Sequence, residues 1–139
     1  MDIKIIASGS SGNAYLIGDG KTRLLLDAGI PFKRIQIGCG FRTSSIDGCL
    51  VTHRHGDHAA AIPKLLQRGI TVYSNADVAG LYPGVQSVEA RREFRIGTLR
   101  ILPFEAEHDV PCYGYLVTSE ETGEKLVYIT DSAYVKYTF

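Results

Sequence analysis

The sequence predicts a single domain of the α/β (α+β) class, on three observations. Up to Ser87, short apolar runs alternate with short helix-prone segments, and glycine or proline separates them. From Val88 onward the pattern becomes one of strands joined by turns. The residues able to do chemistry follow apolar runs: Asp27 after Leu24-Leu25-Leu26, His53 after Cys49-Leu50-Val51, His108 after residues 99–104, Asp131 after Val127-Tyr128-Ile129-Thr130. Open α/β sheets place their sites at that edge, beyond the strand ends.

In order, residues 3–7 read as a strand, and Ser8-Gly9-Ser10-Ser11-Gly12-Asn13 as a turn into a second strand over 14–17. That turn is read as satisfying local backbone groups with its hydroxyls. As a phosphate cradle it lacks the lysine of a P-loop and opens no helix. Asp19-Gly20 is a hairpin signal before a strand over 23–26. Residues 31–37 make a short helix closed by Gly38 and Gly40, and Leu50-Val51 a strand that delivers the histidines. A helix-prone stretch over 59–62 follows them. Pro63 suits the first turn of a helix over 63–68, stopped at Gly69. A strand over 70–73 and a helix over 76–81 complete the first part. Strands over 93–96, 99–104, 114–118 and 126–129 make up the second.

At 139 residues the chain fits one domain with a modest core. Lys+Arg and Asp+Glu balance at 15 each, so charge gives no signature for nucleic acid or an acidic partner. Arg91, Arg92, Arg95 and Arg100 read as the wet face of a half-buried hairpin, with phosphate contact the minority reading. Cys39, Cys49 and Cys112 are widely spaced and form no CxxC pair, so they read as reduced, mostly buried thiols of a cytoplasmic protein. The start Met1-Asp2-Ile3-Lys4-Ile5-Ile6 is too short and charged for a signal peptide. No apolar run approaches membrane-spanning length, so no membrane partner is expected.

Three of the four histidines lie in Thr52-His53-Arg54-His55-Gly56-Asp57-His58. Residues two apart share a side only in extended chain, which places His53 and His55 on a strand end or the loop leaving it. Arg54 is expected to point away from the ligands, and Gly56 to permit a tight turn. Imidazole and carboxylate donors suit zinc, iron or manganese, whereas sulfur-rich sets mark closed structural zinc sites. His108 and Asp131 have the placement to join the cluster. His53, His55, Asp57, His58, His108 and Asp131 then fit two cations better than one, with Asp131 as a bridging carboxylate.

In this order the residues closely resemble the metallo-β-lactamase superfamily. Its signature His-x-His-x-Asp-His stands in full as residues 53–58, with Asp27, His108 and Asp131 matching its upstream aspartate, lone downstream histidine and bridging aspartate. The opening Ala-Ser-Gly-Ser-Ser-Gly-Asn and the segment His-Asp-Val-Pro are most similar to the YycJ/WalJ-like subgroup, which is associated with nuclease activity. The resemblance implies an αββα sandwich, present mainly as its N-terminal half. It implies His53, His55 and His108 on one divalent cation, Asp57 and His58 on a second, and Asp131 on both. Zinc is the expected metal, with manganese or iron as alternatives.

The implied reaction is phosphodiester hydrolysis in nucleic acid by a two-metal-activated water. Asp57 orients or deprotonates that water, and Asp27 supports a ligand from behind. The superfamily's last ligand is a histidine beyond the bridging aspartate. No histidine follows His108, so the domain is expected to be truncated at its C-terminus and to self-associate through the uncovered sheet edge. Two other readings stand beside the nuclease one: a non-catalytic metal-binding domain, and a hydrolase of a small ester, thioester or lactam.

Overall fold

The computed structural model describes residues 1–129, which form two face-to-face β-sheets with short helices on one outer face. The first sheet runs in chain order through β1 (Asp2–Ala7), β2 (Ala14–Gly18), β3 (Arg23–Leu26), β4 (Gly48–Leu50), β5 (Val72–Ser74) and β6 (Gln86–Ser87). Its first three strands pair antiparallel, and β3 to β6 pair parallel. The second sheet is antiparallel in the order β10-β9-β8-β7, built from β7 (Phe94–Ile96), β8 (Leu99–Ala106), β9 (Cys112–Ser119) and β10 (Lys125–Tyr128). Helices α1 (Phe32–Gly38), α2 (Gly56–Ala59), α3 (Ile62–Gln67) and α4 (Ala76–Leu81) fill the crossovers between parallel strands.

The leucine run of β3 shows why the layers form. Leu25 packs into the cluster beneath the helices, while Leu24 and Leu26 face the second sheet beside Leu50, Ile101, Tyr115 and Val117. Both faces of this strand are therefore dry, and the unbroken apolar run is the signature of that burial. Each such leucine contributes about 1.5–3 kcal/mol on leaving water. The helices are too short to persist alone. Phe32 and Ile35, Ile62 and Leu65, and Val78 anchor them to the first sheet. Among the described residues the layers are thus α, β and β of the expected sandwich.

Element boundaries moved where local signals were weak. The turn expected to precede helix 59–62 is itself helical, so Asp57 and His58 stand inside α2. Gly56 does not have the positive φ of a forced turn, and a Cβ there would meet nothing within 4 Å. β9 starts at Cys112 rather than 114 because its first residues pair with Glu105 and Ala106 across the hairpin. β5 sits at 72–74 rather than 70–73, and β6 went unread because Gln86 and Ser87 are exposed and polar.

The turn Asp19-Gly20 does more than reverse the chain. Asp19 Oδ1 accepts from the backbone N–H of Lys21 and Thr22, while Oδ2 accepts from Thr98 Oγ1 at 2.5 Å and Ser119 Oγ at 2.7 Å. One carboxylate thereby ties the β2–β3 hairpin to the second sheet. Desolvation works against its charge, but these donors outweigh it and hold Asp19 well below the usual carboxylate range. Elsewhere Arg95 and Arg100 pair with Glu120 on the charged sheet face expected, whereas Arg91 and Arg92 lie in the turn before β7, where Arg92 pairs with Glu89. Among the described residues no helix is long and apolar enough to cross a membrane.

Candidate metal centre

Asp27 follows β3 directly and is fully buried, with the left-handed φ of 60° that aspartate tolerates better than most residues. Its carboxylate collects four donors. Oδ1 accepts from Thr52 N–H at 2.8 Å, and the Thr52 hydroxyl lies 3.1 Å from both oxygens. Oδ2 sits 2.7 Å from His58 Nδ1 and accepts from Tyr128 O–H at 2.7 Å. A carboxylate offers about four acceptor sites, so the group is saturated. Burial and the Asp27 charge push the Tyr128 phenol upward, keeping it a donor.

The backbone behind α2 is equally constrained. The Asp57 carbonyl accepts from Asn13 N–H at 2.8 Å, and the His58 carbonyl from Ala28 N–H at 2.8 Å. Gly29 lies flat against that peptide: a Cβ there would sit 1.7 Å from the Asp57 oxygen and 2.5 Å from His58 N. The loop at 8–13 is closed by the Asn13 amide rather than by a serine hydroxyl. Asn13 Oδ1 accepts from Gly9 N–H, and Nδ2 donates to Gly9 O and Asp57 O. The same nitrogen lies 3.2 Å from His58 Nε2.

On this frame the imidazoles converge. His53, 1% exposed, has ring centroids 4.8 Å from His55, 4.2 Å from His58 and 4.3 Å from His108. His53, His55 and His108 can each offer one ligand atom with all three atoms within 4.8 Å of one another, and so can His53, Asp57 and His58. Burial first, and the neighbouring histidines after it, lower the His53 pKa to about 4, against the opposing pull of Asp27. It is therefore neutral near pH 7, the form that ligates a metal. Three converging imidazoles and a carboxylate beside them, with no thiol in either group, fit a divalent cation of the zinc or manganese type.

The Beta-lactamase superfamily domain matches residues 22–138. The chain belongs to the metallo-β-lactamase superfamily. It is 28% identical to exodeoxyribonuclease WalJ of Streptococcus pneumoniae serotype 2, an alignment covering 94% of this chain and 54% of that protein. Exodeoxyribonuclease YycJ of Bacillus anthracis is also 28% identical, with 97% of this chain and 56% of that protein covered. The chain thus spans about half the length of these curated relatives. The crystal structure of the metallo-β-lactamase fold protein YhfI from Bacillus subtilis superposes with a TM-score of 0.74 at 23% identity, over 95% of this chain and 63% of the other. A fold of this superfamily implies divalent metal binding.

Of the superfamily residues expected from the sequence, the structure brings His53, His55, Asp57, His58 and His108 together, with Asp27 behind them. Asp131 lies outside the described residues. Arg54 points outward toward Asp77, 3.7 Å away. Cys112 Sγ lies 3.8 Å from His53 Nδ1 and belongs to neither ligand group. Four residues went unread: Thr52, Asn13, Tyr128 and Asp109. Asp109 contacts His108 Nδ1 and lies 3.7 Å from His55 Nε2. Desolvation would raise its pKa, but the His108 hydrogen bond and the two histidine charges lower it. Its adjacency to His108 was the signal for it.

Proposed function

We propose that the chain is a metal-dependent phosphodiesterase acting on nucleic acid. The observation that carries this reading is the convergence of His53, His55 and His108 at the strand ends, in a chain similar along nearly its whole length to WalJ and YycJ, which are named exodeoxyribonucleases. His53, His55 and His108 would hold one cation and Asp57 and His58 a second, with Asp131 as the bridging ligand. Zinc suits this donor set, and manganese or iron the same geometry. Divalent cations bound there would lower the pKa of water and neutralise charge on a phosphoryl group.

The chain's own residues supply the rest. Asp57 is half-exposed in the first turn of α2, 3.6 Å from His58 Nε2, and its carboxylate can orient a water and take its proton. Asp27 and Thr52 hold the imidazoles from the dry side. No serine or cysteine nucleophile is needed.

One observation favours a second reading, a small ester, thioester or lactam as substrate. Among the described residues the groove beside His108 is lined by Asp77, Glu105, Glu107 and Asp109 and by no lysine or arginine, an unfavourable surface for a polyanion. Cleavage of single- and double-stranded DNA and RNA with manganese or zinc, set beside a lactam and a thioester, separates the two. Phosphodiester cleavage lost in His55→Ala is the expected result. Cleavage no greater than that control rejects the nuclease reading.

A further inference from the structure

We infer that Thr52 is a positioning residue: its hydroxyl couples Asp27 to His53 and sets His53 as the Nδ1–H tautomer, leaving Nε2 as its ligand atom before any metal arrives. A threonine hydroxyl carries a single hydrogen. Thr52 Oγ1 lies 3.1 Å from each oxygen of Asp27 and 2.9 Å from His53 Nδ1, all three contacts buried. The carboxylate can only accept, so that hydrogen goes to Asp27. Were it turned toward His53, an oxygen lone pair would face both carboxylate oxygens in a dry pocket. The contact to His53 then needs its hydrogen on Nδ1, with the Thr52 oxygen accepting.

His58 reaches the same state by a different route. Its Nδ1 lies 2.7 Å from Asp27 Oδ2 and donates there, which leaves its Nε2 without a hydrogen, 3.2 Å from the Asn13 amide nitrogen. Asn13 is oriented by three backbone groups, since Gly9 N–H takes its oxygen while Gly9 O and Asp57 O take its nitrogen. Both buried imidazoles are therefore protonated at Nδ1 through one buried carboxylate, which leaves Nε2 of each as the ligand atom. An imidazole left free to choose populates both tautomers, and the wrong one puts a proton where a cation must bind.

The inference concerns the metal-free protein, and only its link to affinity rests on the proposed metal site. The test is a long-range proton–nitrogen NMR spectrum of the four histidines in metal-free, 15N-labelled protein, at a pH where imidazoles are neutral. His53 and His58 are expected as Nδ1–H tautomers in the wild type and in Thr52→Ser. In Thr52→Val, His53 is expected to shift toward Nε2–H while His58 keeps its tautomer. Zinc affinity is expected to fall about 10–100-fold in Thr52→Val and to be largely restored in Thr52→Ser.

A wild-type His53 in the Nε2–H form overturns the inference, even if Thr52→Val does not fold. So does a folded Thr52→Val with an unchanged His53. The expected tautomers in a protein that binds no zinc would leave the inference standing and reject the metal reading.

Discussion

Replacing Asp27 with asparagine turns two of four acceptor sites into donors, so that either His58 Nδ1–H and Tyr128 O–H, or Thr52 N–H, meet an N–H in a fully buried pocket. An unsatisfied buried donor costs about 1–3 kcal/mol, and supports of this kind affect metal affinity about 10–100-fold. Asp27→Asn is expected to lose both, read by thermal unfolding and by zinc titration. His53 gives a pH signature. Its pKa is about 4 in the folded protein against 6.5 in a free side chain. Between those values the unfolded chain binds a proton that the folded chain refuses, so stability of the metal-free protein falls as pH drops through that window. His53→Asn is expected to flatten that slope in pH-dependent melts. The histidines were legible because their density in six residues is unusual. Thr52 was not, because a threonine after an apolar run is an ordinary strand residue until its hydroxyl is placed between Asp27 and His53.

Between elements, two contacts decide whether the frame holds. Gly29 packs on the Asp57–His58 peptide with no room for a methyl group, and the atoms it would strike are backbone. Gly29→Ala is expected to destabilise by about 1–3 kcal/mol. It should also displace α2, seen as lost zinc affinity in protein that remains folded. Asp19 joins hairpin to sheet. Its pKa is lowered from 3.8, so its contribution is present above that value and is lost as pH falls below it. Asp19→Asn is expected to lower the unfolding midpoint near neutral pH and to narrow that difference under acid. The hairpin at Asp19-Gly20 could be read locally, but Thr98 and Ser119 stand 79 and 100 residues away along the chain. No spacing rule reaches that far.

At the scale of the molecule, the two apolar clusters on either side of the first sheet bring strand ends from distant parts of the sequence to one edge. The unbroken apolar runs of β3 and β4 announced strands buried on both faces, and the polar residues after them announced the edge. The order of the second sheet was not legible, since antiparallel hairpins of similar length leave several pairings open until Leu99, Ile101, Tyr115 and Val117 are packed on β3. The central claim is that this edge is a metal centre. The direct test is the divalent metal content of protein purified without added metal, compared with His55→Ala, a half-exposed position whose loss spares the core. Bound metal in the wild type and its marked reduction in His55→Ala is the expected result. Equally little metal in both proteins would contradict the account.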